Sequence, residues 1–315
     1  MSRPPEVVPS WYMAAPSRAL RRGQIIRFQL GEHPLVLFRG RDDRVVHALP
    51  AHCRHQGVDL AHGAVVGDCL RCPLHHWDYR DACERIPGAP SVPERFQGMR
   101  FRVKERYGMI FVHAGGEATM PLPEFSVEDE RLAFLEGSTV QLDCPWYVPL
   151  ANAFDMTHLR TVHHRRLLTE PELTFPQPLS FVVRYATAVT GTSWHDRAMR
   201  LLSGNRIEVR ITCAASMLLV ESAAGKVRSY LMVSLRPTRG GGVSLQPLYA
   251  VPRRSSGAHH LHIRAARALF NAFLRRDVSP LSGIRFPEPY ADPHDATLDA
   301  AWRHLCRLPA YQSEE

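Results

Sequence analysis

Apolar and polar positions along the chain predict two regions that are rich in β-strands. The first region has five short runs with the alternating or β-branched composition of strands, at residues 24–30, 34–39, 44–49, 100–105 and 108–114. Longer runs of the same kind follow between Gly- and Ser-containing turns, at residues 179–194, 205–222, 226–238 and 243–253. Helical spacing follows at about 259–276 and 295–306. This order predicts an α+β fold in which a small antiparallel β domain precedes a larger sheet with closing helices.

The length of the chain and its punctuation predict two domains. At 315 residues and 35.6 kDa, each half is long enough to bury its own core. Gly and Pro residues in the segment 115–125 indicate a linker. We therefore expect an N-terminal arm at residues 1–20, a first domain at 21–116, a linker at 117–137 and a second domain at 138–315.

Bulk composition is that of an ordinary globular protein, with 45% hydrophobic and 22% charged residues. No apolar run approaches the roughly 18 residues that a bilayer-spanning helix needs, and the first 22 residues lack the apolar stretch of a secretory signal. We therefore expect a cytoplasmic protein without a membrane partner. Two of the seven cysteines belong to the motif described below, and the other five form an odd and scattered set that we expect to be reduced.

The net charge of +8 bears on the choice of partners. It predicts either attraction to an acidic redox partner or only a basic surface. Nucleic-acid binding is not expected, because the basic residues are dispersed in doublets such as Arg253–Arg254 and form no recognisable nucleic-acid module. Residues 164–166, with one His and two Arg, are interpreted most simply as a basic surface turn.

The most informative motif is Cys53-x-His55, followed after sixteen residues by Cys72-x-x-His75. Two thiolates and two imidazoles suit a [2Fe-2S] cluster in which one iron binds sulfur and the other binds nitrogen. Neutral histidines raise the reduction potential to roughly −150 to +300 mV, against roughly −400 mV for plant-type ferredoxins. Structural zinc is the alternative, since two Cys and two His can also bind zinc. The flanking strands and the Gly and Pro residues in both loops favour the cluster.

A second group of ligand residue types lies in Asn152-x-x-Asp155-x-x-His158-x-x-x-x-His163. Its apolar neighbours have a partly helical rhythm. On an ideal helix His158 and His163 would lie about 140° apart, so both can reach one metal only if the helix ends or loosens between them. Two histidines and one carboxylate form the facial triad of non-heme Fe(II) oxygenases. On its own, such a group is more often a solvated helix face or a set of buried histidines.

The carboxylate of a triad would have to come from another segment. Asp277 lies near the end of the long helical run, whereas Asp292, Asp295 and Asp299 lie in a more broken segment beyond it. The spacing of these residues does not choose among them.

The stretches CRHQG at 53–57 and CPLHHW at 72–77 resemble the Rieske domain of the Rieske non-heme iron oxygenases. The resemblance implies two metal centres. One is a Rieske [2Fe-2S] cluster with the ligands Cys53, His55, Cys72 and His75. The other is a mononuclear Fe(II) with the ligands His158, His163 and Asp277. The resemblance also implies a catalytic role for Asp155, between a cluster histidine and an iron histidine of neighbouring subunits, and a place for Asn152 near the iron. The family usually has Gly where this chain has His76, so the resemblance leaves open how a histidine is accommodated there.

The same resemblance implies a helix-grip catalytic domain and a head-to-tail homotrimer. The function it implies is that of a terminal oxygenase component, which uses O2 and electrons from a separate reductase or ferredoxin to oxidise a C–H bond. The substrate would be a mainly apolar small molecule, and the reaction a hydroxylation, demethylation or desaturation. The chain has no Gly-rich nucleotide-binding fingerprint, as expected if the reductase is separate. Its length resembles that of the monooxygenase and O-demethylase branch.

Two other functions remain open. One is a non-catalytic Rieske electron-transfer protein with an inert second domain, and the other is a dioxygenase of an aromatic ring. The substrate pocket is expected within residues 170–250. Candidate lining residues are Phe181, Trp194, Met217, Leu219 and Tyr230, although these side chains suit an ordinary hydrophobic core equally well.

Overall fold

A computed structural model describes residues 3–79, 101–115, 120–254, 257–287, 290 and 294–312. The chain divides into two compact units. The first unit consists of Trp11–Glu117, Thr238–Gly240 and Tyr311–Glu315, and the second consists of Met1–Ser10, Ala118–Pro237 and Gly241–Ala310. The predicted α+β class is confirmed, since antiparallel sheets and a few helices make up both units. The four domain limits given above stay predictions.

Three small sheets make up the first unit among the described residues. Its strands are β1 Ser10–Pro16, β2 Ile25–Leu30, β3 His33–Arg39, β4 Val46–Pro50, β5 Ala64–Val66, β6 Cys69–Arg71, β7 Asp78–Tyr79, β8 Arg102–Arg106 and β9 Met109–Ala114. The sheets have the orders β1-β9-β8, β2-β3-β4 and β5-β6-β7. The loop between β4 and β5 begins just before Cys53, and the loop between β6 and β7 begins at Cys72.

The core of the first unit contains both motif cysteines. Cys53 is 2% exposed and Cys72 is 0% exposed. They pack in one cluster with Val36, Phe38, Leu49, Leu60, Val65, Leu70 and Trp77. Because such interiors are close-packed, the two thiols have little freedom to move.

The second unit is built on one large antiparallel sheet. Its strands are β10 Leu132–Glu136, β11 Val140–Leu142, β12 Arg165–Leu167, β13 Glu172–Gln177, β14 Ser180–Val189, β15 Ile207–Ala214, β16 Met217–Ala224, β17 Val227–Pro237 and β18 Val243–Pro252. The order is β10-β18-β17-β16-β15-β14-β12, and β11 pairs with β18 while β13 pairs with β14. The helices are α1 Tyr147–Asn152, α2 Met156–Thr161, α3 Trp194–Ser203, α4 His259–Leu281 and α5 Ala296–Leu305.

Helix α4 packs on one face of this sheet. The side chain of Tyr249 on β18 reaches it, with the hydroxyl donating to Asn271 Oδ1 at 2.6 Å and the ring 6.1 Å from that of Phe270. The register places Tyr249 beside Leu231, and the same row continues through Val220 and Ile211 to Val183. Alternate residues of a strand face opposite sides, so this row of apolar side chains belongs to the helix-facing side.

Two of the predicted long strands are interrupted. The run 205–222 forms the hairpin β15–β16, because Ala215 takes φ 50° and turns the chain. The run 179–194 ends as a strand at Val189, and helix α3 begins at Trp194. The sequence did contain a signal for α3, since Ser193 caps it and Asp196 lies three residues on, as in a capping box.

The predicted redox state of the cysteines is wrong for Cys69. This residue, at the start of β6, is disulfide-bonded. Cys83 lies outside the described residues, and Cys144, Cys213 and Cys306 are free thiols. The prediction failed because an odd, scattered set of cysteines can still contain one bonded pair.

In the described part of the chain, no helix has the length and hydrophobicity that a membrane crossing requires.

Asp295 joins the starts of two helices. Its Oδ2 accepts the N–H groups of Met156 and Thr157 in α2, at 2.7 and 3.0 Å. Its Oδ1 accepts the N–H groups of Thr297 and Leu298 in α5, at 3.1 and 3.0 Å. Such N–H groups have no partner within their own helix, and Asp295, 5% exposed, provides one in each case.

Replacing Asp295 with Ala should lower the free energy of unfolding of the second unit by about 1 to 4 kcal/mol, because one carboxylate caps two helices and each cap contributes about 0.5–2 kcal/mol. Urea denaturation followed by tryptophan fluorescence measures this loss. Asp143→Ala is the control, because Asp143 forms an exposed pair with Arg285 at 3.6 Å and should cost well under about 1 kcal/mol. Equal losses in the two variants would contradict the capping role.

Candidate metal centres

The two motif loops of the first unit have the same main-chain hydrogen bonds. The N–H of each cysteine donates to the carbonyl five residues later, at 2.8 Å in both loops. The carbonyl of each cysteine accepts the N–H four residues later, at 2.8 Å in the first loop and 3.2 Å in the second. The residues at those positions are Val58 and Gly57 in the first loop and Trp77 and His76 in the second. The loops therefore have matching backbone folds.

Gly57 and His76 hold equivalent places, and both have positive φ, 74° and 59°. A side chain in this left-handed region costs roughly 1–2 kcal/mol, which glycine avoids. His76 is accommodated in the position where the family usually has Gly because its backbone makes the same turn that a glycine would make. Its imidazole is exposed to solvent.

The two motif histidines face each other at an exposed edge. His55 Nδ1 and His75 Nδ1 are 3.0 Å apart, so both nitrogens can reach one iron. The ring of His55 also stacks on Trp77, with centroids 4.5 Å apart and planes 15° apart. The cysteine side is buried and the histidine side is open to solvent, an arrangement that suits the transfer of electrons through the histidines.

The sulfur atoms receive several hydrogen bonds. The main-chain N–H groups of Leu74 and His75 point at the Cys72 sulfur and lower the pKa of that thiol, although burial has the larger effect and raises it. The Tyr79 hydroxyl lies 2.9 Å from Cys53 Sγ, and the same oxygen accepts the N–H of Arg54 at 3.2 Å. Burial and the nearby Cys53 raise the pKa of Tyr79, so it stays protonated and can donate to a thiolate. Two buried sulfurs with hydrogen-bond donors and two facing imidazoles fit a Rieske [2Fe-2S] cluster.

Three side chains of the second unit converge on one point. His158 Nε2 and His163 Nε2 each lie 2.9 Å from Asp277 Oδ1, and 3.1 Å from each other. Ligand atoms about 2.1 Å from a metal, at right angles to one another, are about 3.0 Å apart. The three atoms therefore fit one triangular face of a six-coordinate ion such as Fe(II).

This convergence depends on the end of α2. The helix stops at Thr161, so His163 leaves the helical path and returns to the side of His158. The prediction that the helix must end or loosen between the two histidines is confirmed, since α2 ends at Thr161. Asp277 comes from α4, where Phe273 lies one turn earlier and stacks on His163, with centroids 3.6 Å apart and planes 8° apart.

The protonation states of His163 and Asp277 suit metal binding. Burial lowers the pKa of His163, and this outweighs the hydrogen bond to Asp277. Burial alone would raise the pKa of Asp277, but hydrogen bonds from His158 and His163 hold it below its usual value. A neutral imidazole and an ionised carboxylate are the forms that bind metals.

The other predicted site residues have varied surroundings. Asp155 caps α2, with Oδ1 accepting the His158 N–H at 2.6 Å, so the carboxylate is fixed beside an iron-ligand candidate. Asn152 is the last residue of α1, and its carbonyl accepts the N–H of Asp155 at 3.2 Å. Of the alternative carboxylates, Asp295 caps two helices, Asp299 pairs with Arg303, and Asp292 lies outside the described residues.

Only Phe181 of the predicted pocket residues belongs to the neighbourhood of α2. It is fully buried, and its ring lies 4.4 Å from that of Phe154, which directly precedes Asp155. Leu219 and Tyr230 belong to the opposite face of the sheet from Tyr249, and Tyr230 packs on Phe125. Met217 shares that opposite face, and Trp194 is 72% exposed on α3. Strand periodicity separates these faces only when the register is known.

The sequence did not reveal the positions of two residues, Tyr79 and Arg165. Tyr79 had no signal of its own, because its contact with Cys53 depends on how two loops fold together. Arg165 was predicted to lie in a basic surface turn, and this is wrong: its side chain is 11% exposed and pairs with Asp196. Neighbouring residues of β12 face opposite sides of the sheet, and this produces the difference: Arg166 is exposed while Arg165 points inward.

Comparison with known proteins is consistent with this geometry. Residues 10–97 match the family described as the Rieske [2Fe-2S] domain. The chain is 25% identical over 283 residues to the cholesterol 7-desaturase nvd of Bombyx mori, covering 87% of this chain and 61% of that protein. It is 27% identical over 173 residues to the oxygenase component of 3-ketosteroid-9-alpha-monooxygenase from Rhodococcus rhodochrous, covering 51% and 45%. The chain thus spans less than two thirds of either relative.

A solved structure of dicamba monooxygenase bound to dicamba has the same fold. Its TM-score is 0.69 at 19% sequence identity, and the match covers 94% of this chain and 95% of that one. At this identity the likeness establishes the fold alone.

Replacing His76 with Gly should raise the free energy of unfolding of the first unit by up to about 1 kcal/mol, because it removes the steric cost of a side chain at positive φ. The gain is limited because glycine also gives the unfolded chain more conformational entropy. His76→Val should lower the free energy of unfolding by at least about 1 kcal/mol, since β-branched residues fit this region poorly. The thermal midpoint for loss of the cluster's visible absorbance reports both changes. If the midpoint fell with Gly and rose with Val, the assigned backbone conformation would be wrong.

Replacing Tyr79 with Phe should lower the reduction potential of the cluster by roughly tens of millivolts, because a hydrogen bond to the Cys53 sulfur stabilises the more negative, reduced state. A change of about 59 mV corresponds to about 1.4 kcal/mol for one electron, which is the scale of a hydrogen bond to a charged group. Protein-film voltammetry measures the potential. Tyr107→Phe, whose ring packs on Phe111, is the control and should leave it unchanged.

Proposed function

Because this chain is a relative of the Rieske non-heme iron oxygenases by sequence and by fold, we propose that it is a terminal oxygenase component. It takes electrons from a separate reductase or ferredoxin and uses O2 to oxidise a C–H bond of a mainly apolar small molecule. The observation that carries this proposal is the convergence of His158, His163 and Asp277, in a chain that also has a Rieske domain. A Rieske electron carrier would need no second set of converging ligands.

In this proposal the residues fall into two groups with distinct tasks. Cys53, His55, Cys72 and His75 hold the [2Fe-2S] cluster, while His158, His163 and Asp277 hold a mononuclear Fe(II). When bound, the cluster supplies electrons one at a time and the iron supplies the activation of dioxygen. The protein's own contribution is to place these groups, to hold His163 neutral and Asp277 ionised, and to keep water from the substrate.

Asp155 is the residue that we propose to connect the two centres. Its carboxylate is already fixed at the start of α2, where it accepts the main-chain N–H of His158. A carboxylate held there can orient an iron-bound imidazole and accept a hydrogen bond from a cluster histidine of a neighbouring copy. This role requires a ring of subunits, and we propose a head-to-tail homotrimer. Asn152, three residues earlier, would lie beside the iron and not bind it.

An apolar substrate suits the side chains around the triad. Phe273 covers one face of His163, and Phe154 and Phe181 form a buried aromatic pair next to the start of α2. Such surroundings exclude water and bind apolar molecules by burial of their surface. The relatives named for cholesterol and 3-ketosteroid act on molecules of this kind, so we propose a sterol-like or other apolar substrate. We prefer oxidation of a C–H bond to dioxygenation of an aromatic ring, because monooxygenase names recur among the sequence relatives.

The surface charge supports the proposed redox partner. With a net charge of +8, the chain would attract an acidic ferredoxin or reductase domain at low ionic strength.

Replacing Asp277 with Ala should remove the mononuclear iron and the oxidation of substrate, while the cluster keeps its absorbance and its signal on reduction. After anaerobic loading with iron and sulfide, the wild type should hold about three irons per chain and the variant about two, since two belong to the cluster. Metal analysis gives the ratio, and mass spectrometry of products from a panel of sterols gives the activity.

Asp299→Ala is the matched control, because Asp299 lies on α5 and pairs with Arg303. It should keep about three irons and its activity. An Asp277→Ala protein with unchanged iron content would exclude this carboxylate as a ligand. A wild type with about two irons per chain would instead support the electron carrier.

A further inference from the structure

Asp196 is a buried carboxylate at the centre of a network that the proposed mechanism does not use. The residue is 3% exposed and lies in the first turn of α3. Its Oδ1 is 3.1 Å from Arg165 Nη1, and its Oδ2 is 2.6 Å from Ser193 Oγ and 3.9 Å from Arg276 Nη2. One carboxylate thus lies between two guanidinium groups that come from different elements, β12 and α4.

Both arginines lead to the backbone at the end of α2. Arg165 Nη1 donates to His163 O at 2.9 Å and is 3.3 Å from His164 O. Arg276 Nη1 donates to Val162 O at 3.4 Å. Arg276 also directly precedes Asp277 in the chain. Asp196 is therefore linked to both segments that carry the triad.

The end of α2 needs such support. The carbonyl groups that follow the end of α2 at Thr161 have no partner within the helix, and His164 turns the chain with φ 53°. Thr190 supplies two further donors, since its N–H and its hydroxyl both bond to His164 O at 2.9 Å. Three consecutive carbonyls, at residues 162 to 164, are thereby held by side chains or main chain from β12, α4 and the end of β14.

The nitrogen of the His163 ring that faces away from Asp277 is not held by a hydrogen bond among the described residues. This atom, Nδ1, is buried. A metal-binding histidine ordinarily donates from that nitrogen to a fixed acceptor. Here the ring is held by stacking on Phe273, and its direction is set by the backbone that Arg165 holds.

The network is closely fitted. A Cβ atom at Gly191 would lie 2.2 Å from Asp196 Oδ2, so the glycine leaves room for the carboxylate. Burial raises the pKa of Asp196, but hydrogen bonds from Ser193 and Arg165 outweigh it and hold the pKa below its usual value. Burial also lowers the pKa of Arg165, which its pairing with Asp196 opposes. Each charge in this interior depends on the other.

We propose that Asp196 is a positioning residue for the mononuclear metal centre: through Arg165 and Arg276 it fixes the backbone of His163 and the segment of Asp277, and so sets the shape of the triad. This inference rests on the proposed function, because it requires that the triad binds a metal. It assigns no direct contact between Asp196 and the metal.

The test is metal binding by the cluster-loaded protein. Co(II) is the probe, since its d–d absorbance reports ligand geometry, and anaerobic titration with Co(II) and then with Fe(II) gives the affinities. Arg165→Met removes the hydrogen bonds to the His163 and His164 carbonyls and should weaken both affinities about tenfold to a hundredfold, with an altered Co(II) spectrum. Arg165→Lys keeps the charge beside Asp196 and should recover part of the affinity.

Two further variants keep the test decisive if Arg165→Met does not fold. The double variant Arg165→Gln with Asp196→Asn removes both charges together and should also bind metal about tenfold or more weakly. Gly191→Ala should displace the Asp196 carboxylate and alter the Co(II) spectrum in the same direction. Glu105→Gln is the control for loss of an ion pair, since Glu105 pairs with Arg39 at 2.7 Å in the first unit, and it should leave the titration unchanged.

Asp277→Ala separates this inference from the proposed function. If Asp277→Ala abolishes Co(II) binding but Arg165→Met and the double variant bind with wild-type affinity and spectrum, the positioning role is overturned while the metal site stands. If Asp277→Ala leaves Co(II) binding unchanged, the metal site itself is wrong, and the positioning role is overturned with it.

Discussion

The candidate iron site depends on the length of one short helix. Helix α2 has six residues, fewer than an isolated helix needs to be stable in water. Its two ends are therefore held by side chains: Asp155 and Asp295 accept the first N–H groups, and arginines of β12 and α4 bond to the carbonyls of His163 and Val162, which directly follow the helix. One more turn of helix would carry His163 to a different side from His158. The metal-binding geometry is thus a consequence of where the helix is made to stop.

The first unit shows a related use of main-chain geometry. The two motif loops have the same hydrogen bonds, and each needs one residue with positive φ at the same place. The chain uses glycine in one loop and a histidine in the other. Because the imidazole of His76 is exposed, the strain is confined to the backbone of one residue. The buried sulfurs and the facing His55 and His75 rings keep the arrangement that a cluster requires.

The sequence predicted much of this, and what it missed has a common cause. Strand runs and ligand spacings are local patterns, so the fold class, the break between His158 and His163 and the pairs of cluster residues were all accessible. Spacing alone left four carboxylates open as the third member of the triad. The side chains that support the ligands were not accessible, because Tyr79, Arg165 and Asp196 reach their partners only after separate segments have packed. Helix α3 was missed even though its capping signal is local, because the apolar run before it continued to Trp194.

The double cap at Asp295 has a consequence for the order of events during synthesis. The start of α2 is completed by a residue that lies 139 positions further along the chain than Met156. A ribosome releases that residue only after nearly all of the large sheet and α4 have emerged. The hydrogen bonds from Met156 and Thr157 to Asp295 therefore form only late in synthesis. The four proposed cluster ligands lie within residues 53–75 and emerge together, although the first unit also includes Thr238–Gly240 and Tyr311–Glu315, which are made late.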